Sequence, residues 1–336
     1  MYEQYYGFTE RPFQLTPNPG WFYASKLHKR ALAYLQYGLS QGEGFIVITG
    51  DIGTGKTTIA SQLLNQLNQD EIVARQIVTS KLDPDDLIRM IASSFNLMVN
   101  EHTKAGYLDA IYTYLKRLHA QRRRALLLVD EAQNLPLASI EELRMLSNFQ
   151  LQGKPLLQSF LLGQNELNAI IQAPNMEQFR QRIIASSNLT PFQEEDTKAY
   201  ISYRLQQAGG NSDLLSDGSY TLIQNYSRGI PRKINSLMDR ALLFGYLEER
   251  PELTEADIQA VLDEISQEVA NITQLPPADN IPAPVSAEAE NSYHSKLTEL
   301  SALLDNTLEQ KIKMAKELDL LLKRQQRLLS RQGKNG

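Results

Sequence analysis

Eight residues, Gly50-Asp51-Ile52-Gly53-Thr54-Gly55-Lys56-Thr57, hold the chemistry that can be read first. Their spacing is G-x-x-x-x-G-K-[ST], and they follow the apolar run Phe45-Ile46-Val47-Ile48-Thr49. A buried strand turning sharply into a helix is the context in which this spacing cradles phosphate. Glycines at 50, 53 and 55 let the backbone curl so that several N–H groups converge on phosphate oxygens. The expected cradle runs from Gly50 to Thr58 and takes in Asp51, Ile52 and Thr54. Lys56 adds a point charge for the β- and γ-phosphates, and the Thr57 hydroxyl is placed to ligate Mg²⁺. The expected ligands are therefore ATP, or another nucleoside triphosphate, and Mg²⁺.

A second constellation bears on hydrolysis. Ala125-Leu126-Leu127-Leu128-Val129 is an apolar run of strand length that ends in Asp130-Glu131. An acid at the C-terminal end of such a strand holds Mg²⁺ from the far side, and Asp130 is expected to be that acid, acting through water. Glu131, one residue on, points the other way and is the candidate to orient and deprotonate the attacking water. A GTPase switch protein would more often place a Gln in that role, so Glu131 favours active hydrolysis.

These groups need a scaffold, and the chain between them alternates strand and helix. Strand 45–49 leads into a helix over 56–68, with Ile59, Leu63 and Leu67 on one face. A second strand covers 72–78. Asp83-Pro84-Asp85-Asp86 opens a helix with an N-cap, Pro at the first position and acids in the first turn. A helix over 105–119 precedes the acid-ended strand, and Ser139 with Glu142 has the spacing of a capping box for a helix through Met145. Strands at 156–162 and 185–189 complete a mainly parallel sheet covered on both faces. From Phe192 the pattern becomes all-helical, with segments at 194–208, 217–226, 231–247 and 255–268. Thr254 and Asp257 have capping-box spacing before the last of these.

The expected fold class is thus α/β, a P-loop NTPase with an all-helical lid. Domain boundaries fall at 45–191 for the α/β unit and 192–268 for the lid. Residues 1–44 are rich in aromatics and prolines, which suits a segment packed on the core, with a helix marked by Ala31, Tyr34 and Leu35. Residues 269–291, with Pro276-Pro277, Pro282 and Pro284, read as a linker. From Leu297 to Leu329 apolar residues recur on one stripe at about 3.56 residues per turn, between the coiled-coil and straight-helix periods. The 292–330 segment is therefore expected to be an amphipathic, coiled-coil-like helix that self-associates, binds a partner or folds back on the body.

Composition excludes several classes. With no cysteines among 336 residues, disulfides, thiolate metal sites and cysteine nucleophiles are ruled out. The four histidines, at 28, 102, 119 and 294, lack metal-ligand spacing. No stretch approaches the ~18 apolar residues of a membrane span, and the N-terminus does not read as a signal peptide. A cytoplasmic setting is the expectation. Net charge is −5, unevenly spread: from Lys296 onward nine Lys/Arg face five Asp/Glu, so the rest of the chain carries −9. An acidic body with a basic tail is not an obvious nucleic-acid binder.

Taken together, the P-loop, Asp130-Glu131, a polar-ended later strand and Gly229-Ile230-Pro231-Arg232-Lys233-Ile234-Asn235 in the lid resemble AAA+ ATPases. More narrowly, the chain resembles the secretion-pathway ATPase A family. The motifs are Tyr5-Tyr6-Gly7-Phe8, Pro12-Phe13, Thr16-Pro17, Gly42-Glu43-Gly44-Phe45, Asp130-Glu131-Ala132-Gln133-Asn134 and Glu142-Leu143-Arg144-Met145-Leu146-Ser147-Asn148. Within that family it is similar to the exosortase (PEP-CTERM) system-associated ATPases. The resemblance covers about residues 1–268. It implies that Gln164 is a polar sensor of the γ-phosphate and that Arg232 reaches the same phosphate from the lid. It also implies that Arg180 or Arg182 acts as an arginine finger on a neighbouring subunit.

The partners implied are further copies in a ring or partial ring and an envelope or export-system protein at the inner membrane, whose inner face the chain would approach. Many relatives continue into a membrane helix and a periplasmic peptidoglycan-binding domain, whereas here a linker and a basic helix follow. A second reading is a DNA-associated ATPase like the transposon target-selection regulators, for which Arg122-Arg123-Arg124 and the basic tail speak. The acidic body and the lack of a helix-turn-helix signature weigh against it.

Overall fold

Five strands pair in parallel, three of them buried along nearly their whole length, β1 (Phe45–Gly50), β3 (Arg124–Asp130) and β4 (Leu157–Gly163), and two part-exposed at the edges, β2 (Ile72–Val78) and β5 (Ile183–Leu189). Their order across the sheet is β2-β3-β4-β1-β5. The computed structural model describes residues 1–14, 19–68 and 70–273. The expected 292–330 helix and the linker beyond 273 lie outside the described residues.

Because β-strand side chains alternate between faces, each strand feeds two cores. Ile46, Ile48, Leu126, Leu128, Phe160 and Leu162 turn to one face, where they meet α1 (Lys26–Gln41) and α2 (Lys56–Asn65). Phe45, Val47, Leu127, Val129 and Leu161 turn to the other. There they meet α3 (Pro84–Ser94), α4 (Lys104–Ala120), α5 (Leu137–Leu146) and α6 (Glu166–Gln172). Each such side chain, fully buried, contributes about 1.5–3 kcal/mol against exposure.

The chain then leaves the sheet for four helices, α7 (Glu194–Gln207), α8 (Asp217–Ser227), α9 (Pro231–Leu247) and α10 (Glu255–Thr273). The last runs past the expected boundary at 268. Thr254 and Asp257 cap it as their spacing predicts: Thr254 N donates to Asp257 Oδ2 at 2.8 Å, and Asp257 N to Thr254 Oγ1 at 3.4 Å.

Several local expectations are corrected. Ser139 does not cap α5; Pro136 precedes that helix, and buried Ser139 sits inside it and donates to the Leu82 carbonyl at 2.7 Å. Glu142 instead pairs with Lys104 at 2.6 Å. A tertiary acceptor between β2 and α3 takes the hydroxyl that the capping box would have used. Helix α2 ends at Asn65, short of 68, so Leu67 lies beyond it and Ala60 joins Ile59 and Leu63 in the core. The helix marked by Ala31, Tyr34 and Leu35 is present as α1, with Ala31 and Leu35 buried and Tyr34 exposed, its hydroxyl accepting from Arg30. Of the first residues, Tyr2, Phe8 and Phe13 are buried in the core of the lid.

Candidate nucleotide site

Three strand ends converge at the C-terminal edge of the sheet, the edge at which open parallel sheets bind ligands. β1 delivers the loop that begins at Gly50, β3 delivers Asp130-Glu131, and β4 delivers Gln164. The loop's own conformation needs glycine at two points, Gly53 (φ 85°) and Gly55 (φ 97°), where a side chain would be strained. Lys56 follows as the first residue of α2 and is buried. Its Nζ donates to the carbonyls of Gly50 at 2.9 Å and Asp51 at 3.0 Å, across the mouth of the loop. Burial lowers its pKa, and the carboxylates of Glu131, Asp130 and Asp51 oppose that fall.

Thr57 and Asp130 meet directly, with Thr57 Oγ1 donating to Asp130 Oδ2 at 3.1 Å. The same carboxylate oxygen accepts from Gln76 Nε2 at 3.3 Å, and Oδ1 accepts from the Glu131 N–H at 3.0 Å. A hydroxyl and a carboxylate facing one another beside a phosphate loop form the oxygen-only donor pair that suits Mg²⁺. Glu131 is held at φ 55°, the left-handed region, by Thr79, whose Oγ1 lies 2.8 Å from the Asp130 carbonyl and 2.9 Å from that of Glu131. Its Oε2 accepts from Gln133 Nε2 at 2.6 Å and from Gln164 Nε2 at 3.2 Å. These bonds, that from Gln133 foremost, hold its carboxyl below the usual range.

The lid closes over the loop. Gly229 (φ 70°) turns the chain into α9, and a Cβ there would lie 2.0 Å from the Phe192 carbonyl. Arg232, in the first turn of α9, donates its N–H to the Gly53 carbonyl at 3.3 Å, and a Cβ on Gly53 would stand 2.7 Å from Arg232 Cβ. Arg232 borders two cavities. One is lined by loop residues with Trp21, Tyr23, His28, Phe192 and Tyr200, the other by Asp51, Gln164, Glu166 and Lys233.

Lys56, Thr57, Asp130, Glu131, Gln164 and Arg232 are therefore brought together, beside Gly50 to Thr58. Arg180 and Arg182 are not. They precede β5, and the register Phe45↔Ile183 puts them at the N-terminal edge of the sheet. That edge is roughly 20 Å from the loop by strand rise. Arg180 donates to the carbonyls of Ile171 and Ala173, both at 2.8 Å, and Arg182 to Ser147 Oγ at 2.9 Å.

Four residues that spacing did not single out support the site. Gln133 ties Glu131 to the next strand, its Oε1 accepting the Gln164 N–H at 2.9 Å. Asn165 donates to Asp51 Oδ1 at 2.7 Å. Gln76 reaches Asp130 from β2, and His28 reaches Thr54 from α1. Gln133 stands inside the Asp130–Asn134 motif; Gln76, Asn165 and His28 carry no local signal, because only the tertiary fold brings them near.

Known proteins resemble this chain in sequence and fold. A family model described as AAA domain matches residues 39–171. General secretion pathway protein A of Aeromonas hydrophila is 38% identical over 267 residues, which are 79% of this chain and 49% of the relative. The chain thus spans about half the length of the curated relative it matches. Among solved structures, Cdc6p of Pyrobaculum aerophilum aligns with a TM-score of 0.58 at 17% identity, covering 74% of this chain and 70% of that one. The ADP form of the Aeropyrum pernix ORC2 protein aligns with a TM-score of 0.53 at 17% identity, covering 71% and 67%. At that identity the likeness is one of fold. The fold is that of the AAA+ P-loop NTPases.

Proposed function

We propose that this chain, with its AAA+ fold, binds ATP with Mg²⁺ and hydrolyses it, and that turnover drives or regulates assembly of a bacterial envelope secretion or export system. The observation that carries the hydrolytic reading is the convergence of Thr57–Asp130, Lys56 and Glu131–Gln164 under Arg232 at one edge of the sheet. Backbone N–H groups of the loop and the Lys56 ammonium would bind the phosphates, with Arg232 reaching in from the lid. Mg²⁺, held by Thr57 and Asp130, would supply charge neutralisation between the phosphates. Glu131, ionised and oriented by two amides, would accept the proton of the attacking water, while Gln164 would fix the position of that water.

The secretion setting is supported by the similarity to General secretion pathway protein A and by the motifs shared with that family. Those motifs favour, more finely, an exosortase-associated exopolysaccharide export system, with the chain working at the inner face of the inner membrane in a homo-oligomer. Exosortase and glycosyltransferase genes beside the coding gene would support that setting; transposase genes there would count against it.

Two substitutions test the chemistry. Lys56→Ala removes charge from the cradle and should weaken ATP binding and turnover together. Glu131→Gln should keep ATP bound and lower turnover by about two orders of magnitude or more, because only proton acceptance is lost. Equal loss of nucleotide affinity in both variants, read by titration, would sink this division of roles.

A further inference from the structure

His28 lies on the first turn of α1, twenty-two residues before the loop begins, and nothing in its surroundings in sequence marks it. In the fold it is 4% exposed and set against the phosphate loop. Its Nε2 is 3.2 Å from the Thr54 carbonyl oxygen, and its Nδ1 is 2.8 Å from Ser25 Oγ. The tautomer follows from these partners. A carbonyl only accepts, so Nε2 carries the proton; Nδ1 then accepts from the Ser25 hydroxyl. Ser25 Oγ in turn accepts the His28 N–H at 3.3 Å as the N-cap of α1, so the ring is fixed at both nitrogens. A Cβ on Gly55 would stand 3.3 Å from Nε2, and the ring also packs near Phe22 and Phe192.

What this bond controls is set by peptide geometry. In a planar trans peptide the carbonyl of Thr54 and the N–H of Gly55 point in opposite directions. Anchoring the carbonyl on His28 therefore turns the Gly55 N–H away from His28. Gly55, at φ 97°, has little conformational restraint of its own, so an outside anchor is needed to keep that peptide in one orientation. Resting on the nucleotide reading above, we propose that His28 is a positioning residue that aims the Gly55 N–H at a phosphate oxygen of the bound nucleotide. Burial favours the neutral ring that this bonding pattern requires. The ring touches the loop, not the reacting atoms, so its effect falls on phosphate affinity and not on the identity of the base.

The test is displacement of a fluorescent ADP analogue from the full chain by ATP, ADP and adenosine, for the wild type and three variants. His28→Phe keeps a ring and loses the donor; ATP and ADP should bind about tenfold more weakly, with adenosine unchanged. His28→Gln places an amide N–H near the Nε2 position and should recover affinity to within about threefold of wild type. His28→Asn reaches only the Nδ1 position and should resemble His28→Phe. Wild-type affinity in His28→Phe, equal loss in Phe and Gln variants, or an equal loss for adenosine would each overturn the proposal. Should His28→Phe fail to fold, the Gln–Asn difference decides, and an Asn variant as tight as wild type overturns it. Wild-type protein that binds neither ATP nor ADP would instead remove the nucleotide reading on which the proposal stands.

Discussion

Glu131 shows what a single residue in an unusual conformation demands of its neighbours. A non-glycine residue at φ 55° is uncommon, and here Thr79 fixes the peptide while Gln133 and Gln164 fix the carboxylate. Hydrogen bonds to the charged form favour it, so Glu131 stays ionised to lower pH than an ordinary carboxylate. Removing the largest of these in Gln133→Leu should raise its pKa toward the ordinary value. If Glu131 accepts the water proton, the acid limb of kcat against pH should then move to higher pH; a limb that does not move would belong to another group. The stability linked to this carboxyl has the matching sign. It is present above the unfolded pKa of about 4.3 and lost as pH falls through the depressed folded value. Arg204 makes a similar point in the lid. It is buried, donates to the Pro12 carbonyl at 2.7 Å and lies over the Trp21 ring. Arg204→Ala should cost about 2 kcal/mol, read by denaturant melts.

At the scale of elements, the lid is joined to the loop through backbone, Arg232 N–H donating to the Gly53 carbonyl at 3.3 Å, and the turn at Gly229 sets up that approach. Gly229 accepts the Phe192 N–H at 2.8 Å while its own position leaves no room for a Cβ. Gly229→Ala would combine a left-handed φ with a backbone collision. It should destabilise by more than about 1 kcal/mol and loosen the Arg232–Gly53 contact, so that ATP affinity falls along with the melting temperature. Thr254→Ala removes the cap of α10, far from the loop, and should cost about 1 kcal/mol with nucleotide affinity unchanged. A pair of variants that lost stability without this split in affinity would show that the entry to α9 does not position the lid. The N-terminal segment belongs to the same assembly. The Tyr2 hydroxyl donates to Asp239, Thr9 N to the Ala208 carbonyl, and Asn235 Nδ2 to the Gln14 carbonyl, all in the lid or at its edge.

For the whole molecule, the question is what completes the site. Arg180 and Arg182 sit at the far edge of the sheet, so either can meet a phosphate only in another copy. Arg180 also holds the last carbonyls of α6, so its removal costs stability; Arg182→Ala is the cleaner variant. If Arg182 acts in trans, ATPase activity per chain should rise with protein concentration. Mixing Arg182→Ala with Glu131→Gln protein should restore part of the turnover, through sites that pair an intact Glu131 with an intact Arg182. Specific activity flat with concentration, and no rescue on mixing, would count against a shared site. Arg124 of the triplet 122–124 donates to the Leu39 carbonyl at 3.1 Å, which ties its exposed side chain to the end of α1. Among the described residues no helix is long and apolar enough to cross a membrane.

Much of this was legible in the chain because the information is local. A strand, a glycine-rich turn and a helix are contiguous in residues 45–65, and the geometry of phosphate binding by backbone N–H groups requires no distant partner. Asp130-Glu131 is likewise readable, since it ends an apolar run of strand length. The Thr254–Asp257 box spans four residues and forms as expected. The tertiary structure decided whatever depends on elements remote in sequence. The order β2-β3-β4-β1-β5 sets β4 between β3 and β1, and that alone lets Gln164 reach Glu131 and Asn165 reach Asp51. Ser139 had the spacing of a cap, yet the Leu82 carbonyl on another segment offered a better-placed acceptor. His28 had no pattern at all: its partner is one carbonyl oxygen, which every residue possesses, and only the packing of α1 against the sheet says which one it meets.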